Sequence, residues 1–160
     1  MNSGEFAAAL AKAMGAPAPS SQAAAPLTRE AMAVLLHDAY RAKFAAKPAY
    51  MTDYNGKTIL PGMPGYDPNL DAGTRGAMYY PLVGWAQLED TQAVTPANLA
   101  KVREAYELGL IRSEAGIARG RMVNGRVLEP RALVTRAKAA KALYFMWVLA
   151  QPPKDENDRL

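Results

Sequence analysis

Two short pieces of this chain place a hydroxyl beside a guanidinium at the start of a helical pattern: Thr28-Arg29 and Thr135-Arg136, the second followed by Lys138. A threonine at a helix start accepts an amide proton of the first turn, where unpaired N–H groups and the helix dipole favour negative charge. Arginine adds a planar fork of donors that fits a carboxylate or phosphate. The chemistry on offer is anion binding, with Arg136 and Lys138 at the rim of an otherwise apolar helix.

Other groups that could do chemistry are sparse. His37 is the only histidine and there is no cysteine, so a disulfide framework and a thiolate metal site are both excluded. His37 is expected to be a partly exposed helical side chain. Residues 67–73 (DPNLDAG) alternate oxygen ligands like the start of a calcium loop. The required glycine comes one position late, however, and Met78 stands where a bidentate glutamate would close the loop. Turn formation through Asx bonds is the expected role. Arg119 and Arg121 flank Gly120 in a basic stretch over 112–126. Trp85, with Tyr50, Tyr54, Tyr66, Tyr79 and Tyr80, offers rings that either stack on sugar faces or pin a loop as a satellite core. No acid/base pair, phosphate loop or metal cluster is present, so neither catalysis nor a cofactor or metal is expected.

The elements that position these residues are helical. With 160 residues the chain is one domain, or a few repeats sharing a core. Half of the residues are hydrophobic and many are alanine, which predicts close helix contacts. Apolar spacing predicts helices over 5–14, 28–44, 96–108 and 134–149, capped by Thr28, Thr95 and Thr135 and stopped by Gly15 and Gly109. Residues 16–26 (APAPSSQAAAP) read as a flexible or extended linker. Residues 45–84, rich in proline, glycine and tyrosine, read as a long structured loop. Asn124-Gly125 signals the turn of a small hairpin. The helix over 134–149 has no polar side chain between Lys141 and Gln151 except the Tyr144 hydroxyl, which predicts enclosure at the centre of the fold with Tyr144, Phe145, Met146 and Trp147 as core.

A net charge of +4 and a pI near 9.4 permit nucleic acid as a partner. The charges are scattered and the last helix is too apolar for a groove, so an acidic polymer of another kind fits better. The longest apolar run, 142–150, is shorter than the ~18–20 residues that cross a bilayer, so no membrane span is expected. Residues 1–14 lack the basic start and long apolar region of a signal peptide, so an exported chain would carry its signal outside this stretch or have lost it.

The chain also repeats itself. Leu27-Thr28-Arg29 and Val134-Thr135-Arg136 superpose, and Met32, Ala33 and Leu36 then fall on Ala139, Ala140 and Leu143. Phe6, Ala7 and Leu10 fit the same frame, with Asn2-Ser3 in the Thr-Arg place. The last copy runs Leu88-Glu89-Asp90, Val94-Thr95 and helix, Gly109-Leu110-Ile111, a glycine-containing loop, Glu129-Pro130, then Val134-Thr135-Arg136-Ala137 and a second helix. This order resembles the S-layer homology (SLH) domain of bacterial surface proteins, well over 88–150, partially over 26–44 and marginally over 1–15. Lys138 departs from the glutamate common in that family, and the first copy lacks its arginine.

The resemblance implies an all-α, pseudo-threefold helical bundle with long loops and one small hairpin. It divides the chain into a degenerate helix at 1–15, the linker at 16–26, a Thr-Arg helix at 27–44, the loop at 45–87, a full repeat at 88–150 and a polar tail at 151–160. It further implies an extracellular, envelope-associated anchor that holds an acidic cell-wall polysaccharide, or a peptidoglycan-linked polymer, in clefts between repeats. Thr28, Arg29, Thr135 and Arg136 are its implied ligand residues, with Lys138, Arg119, Arg121 and Trp85 as further candidates. The alternative is a helical assembly module that contacts another envelope protein through 45–84.

Overall fold

A computed structural model of the chain describes residues 1–19, 24–43, 49–50, 63–64, 77–78, 83–118 and 121–150. These are mostly helical, and each of the four α-helices among them has a local cause. Helix α1 (Ser3–Ala13) begins earlier than the apolar spacing predicts because Asn2 caps it. The Asn2 side chain accepts from the Glu5 amide at 2.8 Å, and the Glu5 carboxylate accepts from the Asn2 amide at 3.0 Å. Gly15 ends it at φ +67°, a conformation that favours glycine. Helix α2 (Arg29–Lys43) is capped by Thr28, whose hydroxyl accepts from the Ala31 amide at 3.1 Å. Helix α3 (Leu99–Glu107) follows a 3₁₀ turn over Pro96–Asn98 and stops at Gly109, φ +77°. Helix α4 (Arg136–Ala150) is capped by Thr135, which accepts from the Lys138 amide at 3.2 Å.

The start of α3 departs from expectation. Thr95 occupies the cap position, but its hydroxyl makes no cap bond. Glu30, reaching across from α2, supplies the acceptor instead: its carboxylate takes the Thr95 amide at 3.2 Å and the Asn98 side-chain amide at 2.8 Å. One helix is thus capped by a side chain of another.

The residues leading into the helices pair with one another. Asn2 bridges to Pro26 and Thr28 to Leu133, both antiparallel. The Ser3 amide donates to the Ala25 carbonyl, the Arg29 amide to Ala132, and the Val134 amide to Leu27, each at 2.9 Å. The far end of the expected linker is therefore tied down against the start of α1. Helix α1 packs on α2 and on α4, while α2 packs on α3. Their facing sides make one core of Phe6 and Leu10, Leu27, Met32 and Leu36, Val102 and Tyr106, Leu128, and Met146 and Leu149. Ala33, Ala105 and Ala139 are buried in it, which allows the close backbone approach that the alanine content predicts.

The expected hairpin forms, but not around Asn124-Gly125. Strands β3 (Ala115–Ala118) and β4 (Arg121–Asn124) pair antiparallel, so the chain reverses between Ala118 and Arg121. Asn124 pairs with Ala115 at the open end, and the Gly125 amide donates to the Glu114 carbonyl at 2.6 Å. A Cβ at Gly125 would lie 2.0 Å from that oxygen, so the glycine serves close approach and not a turn. Within the expected loop, β1 (Ala49–Tyr50) and β2 (Ala77–Met78) form a two-residue parallel pair. The calcium-like stretch 67–73, Tyr54, Tyr66, Tyr79, Tyr80 and the tail 151–160 lie outside the described residues.

Helix α4 is not enclosed on all sides. Ala139, Met146 and Leu149 are buried, but Tyr144 is 67% exposed and Trp147 47%. Apolar composition shows what a helix is able to bury; the neighbouring elements decide how much of it is covered. The expectation that Tyr144 and Trp147 are core is corrected, while Met146 is fully buried and Phe145 packs partly against the core.

Phe6 is fully buried across the junction of α1 with its neighbours. Phe6→Ala is expected to lower the unfolding free energy by about 3–5 kcal/mol, whereas Leu133→Ala, at an exposed position, changes it by no more than about 0.5 kcal/mol. Urea denaturation of both variants checks whether α1 belongs to the cooperative unit.

Candidate functional site

The two Thr-Arg sequences fold alike locally and face different surroundings. Arg29, at the start of α2, is 7% exposed. Its Nε donates to the Leu128 carbonyl at 2.7 Å and its Nη2 to the Arg112 carbonyl at 2.6 Å. Its Nη1 pairs with the Glu114 carboxylate at 2.6 Å. All three nitrogens of the guanidinium are taken by the protein. The first backbone amides of α2 are taken as well, Arg29 by Ala132 and Glu30 by Pro130, both at 2.9 Å. This helix start is closed, and Arg29 is corrected from a ligand residue to an internal strut.

Helix α4 starts differently. Thr135 uses its hydroxyl on the Lys138 amide and its carbonyl on the Ala139 amide. The Arg136 and Ala137 amides have no acceptor among the described residues, and both residues are exposed. The Arg136 guanidinium also has no hydrogen-bond or ion-pair partner among them, including Glu129, the neighbour best placed in sequence. Two free amides, the positive end of a helix and a free guanidinium therefore meet at one exposed point.

The other candidates are placed as follows. Lys138 gives its ammonium to Glu114 at 2.7 Å, so Glu114 joins Arg29 to Lys138. A lysine in a place where the resembled family carries glutamate is thereby answered by a carboxylate from the chain before β3. Trp85, in a 3₁₀ turn over Trp85–Gln87, packs against Tyr106 with ring centres 5.8 Å apart, and the Tyr106 hydroxyl donates to the Val83 carbonyl. It belongs to a satellite of the core. Arg121 is the first residue of β4, and Arg119 lies outside the described residues. The structure thus leaves Thr135 and Arg136 together at the surface and turns Arg29 and Lys138 toward Glu114.

A second polar cluster joins α2 to α3. His37 lies between Glu104, bonded through Nε2, and Asp38, 3.1 Å from Nδ1. Arg41 pairs with the same Glu104, and Lys101 with Asp38 at 3.0 Å. His37 is 8% exposed, so the expectation of a partly exposed histidine is corrected. The Arg41 hydrogen bond, helped by that from His37, holds the Glu104 carboxyl below the usual carboxylate range against a smaller cost of burial. For Asp38, burial acts to raise the value and is outweighed by the bonds from His37 and Lys101. For Glu30, burial is outweighed likewise by Asn98 and Thr95, so both carboxyls lie low.

Sequence reading missed four carboxylates that organise the fold: Glu30, Asp90, Glu104 and Glu114. Asp90 accepts the Leu128 and Glu129 amides, each at 2.8 Å, and fixes a turn in which Glu129 has φ +52°. The aspartate of the repeat pattern was the one available signal. The partners of the other three lie 24 to 85 residues away in the chain, beyond any local pattern. Among the described residues no group of three or more histidine and carboxylate side chains is placed to hold a metal ion, and no helix is long and apolar enough to cross a membrane.

No family model matches the chain, and neither a curated protein nor a solved structure matches it.

Two outcomes follow from these networks. Arg29→Ala strands Glu114 and two carbonyls and is expected to cost about 3–5 kcal/mol of stability, while Arg136→Ala changes stability by no more than about 0.5 kcal/mol. Parallel denaturant titrations separate the two. Glu30, Asp38 and Glu104 ionise more readily folded than unfolded, so their contribution is present above about pH 4–4.5 and is lost as pH falls through their lowered folded values. The urea midpoint should therefore drop between about pH 4.5 and 3, and Glu104→Gln should make that drop shallower. An unchanged midpoint over this range would count against the network.

Proposed function

We propose that this chain is a non-catalytic anchoring module of the bacterial envelope that binds an acidic, wall-linked polysaccharide. The observation that carries the reading is the open start of α4, where the Arg136 guanidinium and the Arg136 and Ala137 amides have no partner among the described residues. A sugar carboxylate is a planar acceptor that a guanidinium engages with two parallel bonds, and the free amides add acceptor-seeking N–H groups beside it. Phosphate in a nucleic acid shares the charge. That partner also needs a basic track along its backbone, whereas here Lys138 is committed to Glu114 and Arg29 is buried.

The reading includes a pseudo-threefold arrangement of α1, α2 and α4. Each begins at a side-chain cap, Asn2, Thr28 and Thr135, and the bridges Asn2–Pro26 and Thr28–Leu133 link their starts in succession. In this arrangement only the last start is open to a ligand. Extracellular location follows from the ligand proposed.

A second reading, an assembly module that docks another envelope protein, is favoured by an open groove of about 460 Å³ between α1 and α2. Leu10, Met14, Pro17, Leu35 and Ala39 line it, and Lys43 is its one charged residue. Such a surface suits an apolar segment and not a polyanion.

The anchoring reading expects the chain to sediment with cell-wall sacculi that carry their acidic polymer and to remain in solution with stripped sacculi. Arg136→Ala should weaken sedimentation by about tenfold, and added salt should do the same to the native chain. Equal sedimentation with both preparations would remove the polysaccharide from the reading. Retention of a protein partner instead, lost on Leu35→Glu in the groove, would favour the second one.

A further inference from the structure

The exposed face of α4 continues away from Arg136. Helical geometry puts Arg136, Ala137, Ala140, Lys141, Tyr144 and Trp147 on that side, and all six are exposed. The Tyr144 and Trp147 rings stack on each other with centres 6.1 Å apart and planes 26° apart. A stacked pair of rings that is 67% and 47% exposed is unusual outside a contact surface. Ala137 and Ala140 leave the helix flat between the cation and the rings. The sequence from Arg136 to Trp147 contains no carboxylate to repel an anion.

We propose that Tyr144 and Trp147 form a sugar-stacking platform, and that one acidic glycan chain lies along α4 from Arg136 to these rings. This rests on the anchoring function proposed above. At the helical rise, Tyr144 is about 12 Å and Trp147 about 16 Å along the axis from Arg136, a span that takes several sugars of one chain and not a single residue. The C–H faces of a pyranose carry slight positive charge and meet the outer, electron-rich surface that the stacked pair leaves exposed. Arg136 and the free amides hold a carboxylate at one end, and Lys141 supplies a second cation midway. The charge is too sparse for a nucleic-acid strand, which needs a cation track along its phosphates. The area is too small for a stable protein partner: two such side chains present about 150–250 Å² each at most, against the ~800 Å² per side of a stable complex.

The test uses the full chain, polymer-bearing sacculi and stripped sacculi. Tyr144→Ala with Trp147→Ala is expected to weaken sedimentation with polymer-bearing sacculi by about tenfold or more. Tyr144→Phe should retain binding, because the ring and not the hydroxyl does the stacking. The circular dichroism melt of each variant shows whether it is folded. Residual binding of the double alanine variant should keep its dependence on salt, since Arg136 and Lys141 remain, whereas residual binding of Arg136→Ala should show a weaker dependence carried by Lys141. If the native chain binds the polymer and the folded double variant binds it equally well, the platform is overturned while the anchoring function stands. If the native chain fails to bind polymer-bearing sacculi, the anchoring function falls and the platform with it. A double variant with unchanged sedimentation but a smaller oligomer in solution assigns the rings to a protein contact, and tighter binding of single-stranded DNA than of polymer assigns them to nucleic acid. Either result overturns the proposal.

Discussion

Arg29 stands where a cation is out of place, at the positive end of a helix and out of water, and the protein is arranged to make that position tolerable. Its guanidinium meets the carbonyls of Arg112 and Leu128 and the carboxylate of Glu114, from 83 to 99 residues further along the chain. A buried charge deprived of its partners costs several kcal/mol, so the start of α2 and the base of the hairpin are stable only together. Asp90 completes the arrangement with opposite polarity. Arg29 takes the Leu128 carbonyl, while Asp90 takes the Leu128 and Glu129 amides. A cation and an anion from different parts of the chain thus hold both polar sides of one turn.

The same arrangement decides which helix start is available. Chain segment 130–132, held in place beside that turn, covers the first amides of α2, and Glu114 draws Lys138 toward Arg29. Each helix start is closed by the segment that leads to the next: 25–26 against the start of α1, and 130–133 against the start of α2. No later segment among the described residues performs this service for α4. Its first amides and Arg136 therefore keep their donors without an acceptor among the described residues.

Much of the local structure was legible in the sequence. Thr28, Thr135, Gly15 and Gly109 mark helix ends because their signals act within four residues. The spacing of apolar positions likewise identifies the buried sides of α1, α2 and α3, except at Leu99, which stands on the expected stripe and is 40% exposed at the start of α3. What was not legible acts across the chain. Glu30 caps α3 in place of Thr95, and Gly125 is required by the approach of Glu114, which no neighbouring residue announces. For the candidate site, the repeat found both arginines but could not distinguish them. Thr28-Arg29 and Thr135-Arg136 are the same dipeptide, and their difference lies in Glu114 and in carbonyls supplied from elsewhere. His37 was misjudged for a similar reason, since its partner Glu104 is 67 residues away.

Helix α4 shows most clearly where composition stops being informative. A helix that is apolar all round is enclosed only if the rest of the chain supplies walls on every side. Here α1 covers one side, and Ala139, Met146 and Leu149 fill it. Tyr144 and Trp147 point away from that seam and keep 67% and 47% of their surface exposed. Had the fold required them for stability, their burial would have been worth roughly 1.5–3 kcal/mol for each large side chain. The chain forgoes most of that and places the two rings on the side that also carries Arg136. Stability rests on one side of α4, and the proposed binding uses the other, so substitutions on the exposed side act on recognition with little effect on the core.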